Sequence, residues 1–130
     1  MSYRTHSGSV YHIRYHFVWR PKYRRPALVK AISSRLETLL HEKVTELGGS
    51  VLVLEIQPDH VHLFIEMPPK WAPAQIAYRV KGYTSHVLRH EFPWLKSRLP
   101  SLWSRSYYVG TAEEVSEKTI RQYIEAQKGK

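Results

Sequence analysis

The amino-acid sequence predicts an α+β domain built on one antiparallel sheet, and three observations carry that prediction. Two segments place apolar residues at the helical spacing of three and four, Ile32-Leu36-Leu39-Leu40-Val44-Leu47 and Ile76-Val80-Tyr83-Val87-Leu88. Four others, at residues 11–19, 51–56, 60–67 and 105–109, alternate apolar with polar residues or form short β-branched runs. The second and third of these are separated only by Gln57-Pro58-Asp59, so they must lie antiparallel.

Residues 1–10 are polar and are expected to be loosely ordered unless a ligand holds them. Tyr11, Ile13, Tyr15, Phe17 and Trp19 then alternate with His12, Arg14 and His16, a strand with one polar face. Pro21 ends it, and Lys22-Tyr23-Arg24-Arg25-Pro26 makes a basic loop. The first helix spans about 29–47 and stops at Gly48-Gly49. After the buried strand at 51–56, Pro58 presets φ for a turn that Asp59 tolerates. The next strand sends Val61, Leu63, Ile65 and Met67 one way and His60, His62, Phe64 and Glu66 the other, until Pro68-Pro69 closes it. The second helix covers about 73–91. Residues 94–103 read as irregular between Pro93 and Pro100. A short strand at 105–109 leads through a linker at 109–115 to a last helix over 116–128, which Ser116 caps and an acidic first turn favours. The order β-α-β-β-α-β plus a terminal helix is the ferredoxin-like, RRM-like pattern, in which two helices cover one face of the sheet. The histidines then fall on the open face.

At 130 residues the chain fits one domain, 1–130. Its 20 Lys and Arg outweigh 11 Asp and Glu for a net charge of +9, spread along the chain, which predicts a folded basic face attracted to nucleic acid. With no cysteine, disulfides and thiolate metal sites are excluded. No apolar run approaches the roughly 20 residues of a membrane span, and residues 1–6 lack a signal-peptide core. The expected location is cytoplasmic, with no membrane partner.

Two short motifs name a chemistry. His60 and His62, two apart on a strand, project from one face and can reach a single metal ion. Tyr123 and Gln127, four apart on a helix, also share a face. If that helix packs on the open face, it brings a phenol and an amide oxygen to the imidazoles; two nitrogens with oxygen suit Mg²⁺ or Mn²⁺. Such a site fits phosphodiester cleavage by a tyrosine nucleophile, the metal offsetting charge on the phosphate. Asp59 and Glu66 also carry oxygen, but a turn position and a strand-end charge explain them as well. Periodicity alone equally permits Tyr123 in an apolar stripe with Ile120 and Ile124.

The segments Trp19-Arg20-Pro21-Lys22-Tyr23-Arg24, Pro58-Asp59-His60-Val61-His62-Leu63, Lys81-Gly82, Leu102-Trp103-Ser104-Arg105-Ser106-Tyr107 and Tyr123-Ile124-Glu125-x-Gln127 span nearly the whole chain in order. Through them the sequence resembles the single-tyrosine transposases of the IS200/IS605 insertion-sequence group, within the HUH endonuclease superfamily. The resemblance implies that His60, His62 and Gln127 bind the metal and that Tyr123 attacks DNA, leaving a 5′-phosphotyrosine and a free 3′ hydroxyl. It implies strand transfer without a nucleotide cofactor, single-stranded element ends carrying hairpins as substrate, and a homodimer whose subunits share the active site. It further implies action at the nucleoid of a prokaryotic cell. Gly110 is then the pivot between the last strand and the tyrosine helix.

The candidate DNA contacts are Arg4, Arg14, Lys22, Arg24, Arg25, Arg79, Lys81 and Arg105, cations suited to phosphates. Trp71, Trp94 and Trp103 are expected to pack in a core or interface rather than under bases, and one of Tyr107 and Tyr108 to face the core. Three competitors are weighed, and length removes the third. A non-catalytic RRM-like binding module requires aromatic platforms on the open face of the central strands, and a related HUH nicking or repeat-processing protein shares the site chemistry. A His-x-His barrel hydrolase needs about 250 residues and is too long.

Overall fold

The computed structural model describes residues 12–111 throughout, together with Thr5, His6, Ser9, Val10, Gln122 and Glu125. Within the first ten residues, Thr5–His6 (β1) and Ser9–Val10 (β2) pair as a small antiparallel ladder. The main elements follow as β3 (Ile13–Pro21), a single 3₁₀ turn at Lys22–Arg24, α1 (Lys30–Glu46), β4 (Ser50–Gln57), β5 (His60–Met67), α2 (Pro73–Glu91), α3 (Pro93–Arg98) and β6 (Trp103–Thr111). The larger sheet has the order β4-β5-β3-β6 with every neighbour antiparallel, as the ferredoxin-like pattern requires.

The helices lie on one face because their stripes match the inward residues of the strands. Ile32, Leu36, Leu39, Leu40 and Val44 of α1 and Ile76, Ala77, Val80 and Leu88 of α2 are buried against Tyr15, Phe17, Trp19, Val61, Leu63, Ile65 and Met67. Arg35 clamps the two helices from outside, its guanidinium donating to both oxygens of Glu91 at 2.8 and 3.0 Å. The Gly48-Gly49 stop takes a Schellman form: Gly49 N–H donates to the Val44 carbonyl and Gly48 N–H to that of Thr45, each at 3.0 Å. Gly48 holds φ at 91°, and a Cβ on Gly49 would collide with the Met67 sulfur and the Glu66 carbonyl. At the start of α2, the Ala72 N–H donates to the Gln75 side chain at 2.8 Å.

Three expectations are corrected here. Residues 93–98 are helical rather than irregular, because Pro93 occupies the first turn, where its missing N–H costs nothing, and Leu95 anchors the turn in the core. The last strand is longer than 105–109 at both ends. Gly110 is therefore not a loose pivot: it pairs with His16, while Thr111 pairs with Tyr15. Its missing side chain has another use, since a Cβ there would strike the Tyr108 hydroxyl. The expected linker thus begins inside the sheet, and residues 112–115 lie outside the described residues. Of the last helix, Gln122 and Glu125 are helical.

A bulge between Val51 and Val53 opposes two residues of β4 to one of β5, so Val51 packs with the main core and Val53 turns to the other face, against Phe64. Among the described residues no helix is long and apolar enough to cross a membrane.

Candidate metal centre and nucleic-acid surface

On the face away from the helices, β5 presents His60, His62, Phe64 and Glu66, flanked by Arg14 and His16 of β3. The two predicted imidazoles are adjacent, with ring centroids 5.0 Å apart and planes at 81°. Each is oriented by its Nδ1. His60 Nδ1 lies 2.8 Å from Asp59 Oδ1, and Asp59, held below the usual carboxylate range chiefly by that hydrogen bond, can only accept. His60 Nδ1 therefore carries the proton, and the basic nitrogen of the neutral ring is Nε2. This is how carboxylates prepare metal-binding histidines.

His62 is oriented by a residue that sequence reasoning left out of the site. His62 Nδ1 and His16 Nε2 are 3.1 Å apart, and the two rings stack at 5.3 Å. With His62 Nδ1 as donor, its Nε2 is the basic nitrogen, as at His60. His16 in turn lies flat on Phe64 at 3.9 Å, with the Tyr108 ring edge-on at 5.7 Å. Burial, reinforced by His62, lowers the His16 pKa to about 4; burial, reinforced by His60 and Arg20, lowers that of His62 to about 4. His62 is thus neutral near pH 7, the form that ligates metals. Arg20 is the second omission: its charge reaches both Asp59 and His62. The alternation of β3 placed His16 on the polar face, but nothing local says which strand lies beside it.

The donor set fits a divalent cation in part. Two preoriented imidazoles are present, while among the described residues no group of three His, Cys, Asp or Glu gathers to hold a metal. A further oxygen must come from elsewhere, and Gln127, like Tyr123, lies outside the described residues. Glu66 is engaged at the far end of the strand, with Arg14 Nε at 3.1 Å and His12 Nδ1 at 3.1 Å. Asp59 remains a turn residue, serving His60.

The candidate DNA contacts scatter over the surface. Arg4 lies outside the described residues, and Arg14 faces Glu66 on the open side. Lys22, Lys81 and Arg105 meet in one groove of about 710 Å³ between α2 and β6, with exposed Tyr78 and Tyr107. The Lys81 ammonium donates to the Ser104 carbonyl at 2.8 Å, and burial lowers its pKa. Arg24 is exposed with φ at 54°, next to Tyr23 at 60°. Arg79 sits 4.9 Å from the Trp71 ring centre, and Arg25 is exposed beside Pro26. Trp71 and Trp103 pack as expected, their indole N–H groups donating to the Leu47 carbonyl and to Thr84 Oγ1. Trp94 does not pack in the core: 43% of it is exposed. Tyr107 and Tyr108 point to opposite faces, toward Phe17 and toward His16. Phe64, the open-face aromatic of a central strand, is covered at 4% exposure and offers no platform to a base.

Comparison with known proteins places this geometry. A family model described as "Transposase IS200 like" matches residues 9–127. The ISDra2 transposase TnpA of Deinococcus radiodurans is 34% identical over 125 residues, covering 95% of this chain and 89% of that protein. The transposase for insertion sequence element IS200 of Salmonella typhimurium is 34% identical over 120 residues, 88% of this chain and 76% of that one. Among solved structures, a Deinococcus radiodurans R1 protein assigned as a transposase superposes with a TM-score of 0.78 at 34% identity, covering 95% of this chain and 97% of that one. A REP-associated tyrosine transposase solved with a REP hairpin shares the fold, with a TM-score of 0.61 at 14% identity, covering 95% and 68%.

Proposed function

This chain belongs to the IS200-like transposase family, and on that premise we propose that it is a metal-dependent enzyme that cleaves and rejoins single-stranded DNA through Tyr123. The observation that carries the proposal is the pair of imidazoles side by side on one face of β5, His60 Nδ1 against Asp59 and His62 Nδ1 against His16, an arrangement that leaves each Nε2 available to a cation. The family match also runs through Tyr123 and Gln127, which supports their assignment as nucleophile and oxygen ligand.

In the proposed reaction the Tyr123 oxygen forms a bond to the scissile phosphorus and the bond to the 3′ oxygen breaks. The phenol gives up its proton, and the departing 3′ oxygen gains one. The 5′-phosphotyrosine keeps the energy of the diester, so a different 3′ hydroxyl can reverse the step with no nucleotide cofactor. A divalent cation, Mg²⁺ or Mn²⁺, when bound supplies charge stabilisation on the phosphate oxygens. The chain's own residues orient and charge the site: Asp59 and His16 fix the imidazoles, and Arg20 adds a positive charge beside them. The substrate in this reading is a hairpin-bearing element end, met in the cytoplasm by a homodimer that completes each active site across its subunits. The groove of Lys22, Lys81 and Arg105 offers basic surface for its phosphates. The covered position of Phe64 disfavours the RRM-like binding module.

Tyr123→Phe tests this reading, because only the hydroxyl is lost. The variant is expected to bind hairpin DNA as the parent does, yet to form no covalent adduct on a denaturing gel. Normal cleavage by that variant ends the tyrosine assignment.

A further inference from the structure

We propose that the cleft between α3 and the loop at residues 25–27 binds one unpaired nucleotide of the DNA strand, its base stacked on Trp94 and its phosphate held by Arg25 and Arg98. The inference rests on the single-strand DNA reading above and assigns where that strand goes beyond the histidines.

The short helix that replaces the expected irregular segment sets up the cleft. Leu95 is fully buried, so its neighbour Trp94 is turned outward with 43% of its surface exposed. One helical turn later the Arg98 guanidinium lies 5.6 Å from the indole ring centre. Arg25 and Pro26 form the other side, and buried Ala27 and Leu99 the floor, around a space of about 410 Å³. That volume falls within the range of small-ligand pockets, roughly 300–1,000 Å³. No carboxylate lines it, and among the described residues neither arginine is in an ion pair. An indole face accepts any base by stacking, and guanidinium forks suit a phosphate. Two arginines and an exposed tryptophan without an acid complement a nucleotide better than an apolar peptide.

The location agrees. Leu28 N–H donates to the Pro58 carbonyl at 3.0 Å, tying the cleft's loop to the turn that begins β5. Pro26 and His60 each lie two residues from that bond, at most about 7 Å of chain on either side. Cleft and histidines therefore share one end of the sheet. The Lys22–Arg24 turn, with Tyr23 exposed, precedes Arg25 directly and adds basic surface beside the cleft.

The test titrates full-length protein into a fluorescein-labelled single-stranded oligothymidylate and follows anisotropy at several salt concentrations. Trp94→Ala is expected to weaken binding about tenfold, the loss of one stacked base, while Trp94→Phe keeps most of it. Arg25→Gln with Arg98→Gln is expected to weaken binding and to reduce the salt slope by about 1, the signature of one phosphate contact. Circular dichroism confirms that each variant is folded, and the exposure of all three side chains favours that outcome. If these variants bind and respond to salt as the parent does, the cleft proposal is overturned while the transposase reading stands. If the parent itself fails to bind the oligonucleotide, the cleft proposal falls, while the transposase reading is judged by the Tyr123→Phe adduct test on hairpin DNA. A changed oligomeric state with unchanged DNA affinity assigns the cleft to a second copy of the chain, and also overturns the proposal.

Discussion

Leu63 and His62 are neighbours on β5, yet one is sealed beneath the helices and the other belongs to a stack of rings on the opposite side of the sheet. On Leu63's side, contact is apolar and non-directional, and many side chains share the burial. On His62's side the arrangement is directional and short of members. His60, His62, His16 and Phe64 succeed one another with centroid spacings of 5.0, 5.3 and 3.9 Å, and the two imidazoles of β5 meet Asp59 and His16 through directional contacts. The covered face secures the fold through many interchangeable contacts, whereas the open face relies on directional ones. Substitutions one residue apart should therefore fail in different assays.

The sharpest contrast is expected at His62 itself. His62→Ala removes a proposed ligand, and cleavage of element-end DNA in Mg²⁺ or Mn²⁺ should drop by at least about a hundredfold, beyond the range seen for outer-shell partners. The thermal midpoint without metal should hold or rise, since a buried imidazole disappears. Undiminished cleavage, in cation or in chelator, would break the assignment of this face. Leu63→Ala should behave oppositely, costing about 2–5 kcal/mol of stability in urea melts as a cavity opens in the core. At a temperature where it remains folded it should still form adducts; selective loss of cleavage with full stability would show that the faces are not separable.

This division also explains what was legible in the sequence. The covered face is written in local periodicity: the spacing of Ile32 to Val44 and of Ile76 to Leu88, and the alternation along β3 and β5, suffice to place the core. The Pro58-Asp59 turn and the Gly48-Gly49 stop are equally local signals. The His-x-His pair was visible for the same reason. What was not visible depends on register between strands distant in sequence. His16 meets His62 across 46 residues, a contact that no spacing rule encodes. The length of β6 is set likewise, by the partners that Tyr15 and His16 offer to Thr111 and Gly110. Pro93 misled because a proline reads as a break until the following residues show that it sits in the first helical turn.

His16 tests whether the stack positions the proposed metal ligand His62 or merely packs. His16→Phe keeps a flat ring against Phe64 but removes the nitrogen that meets His62 Nδ1. Affinity for Mn²⁺, measured calorimetrically on chelator-stripped protein, should fall about 10–100-fold, as when the orienting partner of a ligand is lost. His16→Gln, which retains a hydrogen-bonding group, should recover part of it. Equal Mn²⁺ affinity in parent and His16→Phe would reduce His16 to packing.

The smallest effect separates the faces by pH. His16 and His62 have folded-state pKa values lowered from 6.5 to about 4, through burial first and then the charges beside them: His62 for His16, His60 and Arg20 for His62. Because the unfolded chain binds these protons first, stability is highest above 6.5 and declines as pH falls from 6.5 toward 4. Asp59 works in the same direction but below this window, since its folded pKa is lowered from 3.8. The chelator-treated protein should therefore have a level thermal midpoint above pH 7 and a falling one below 6.5. In the His16→Phe, His62→Phe double variant that decline should flatten, while Leu63→Ala should shift the whole curve down without changing its slope. An unchanged slope in the double variant would mean that the open-face imidazoles are already accessible to protons in the folded chain, and that the ring stack does not protect them as its geometry implies.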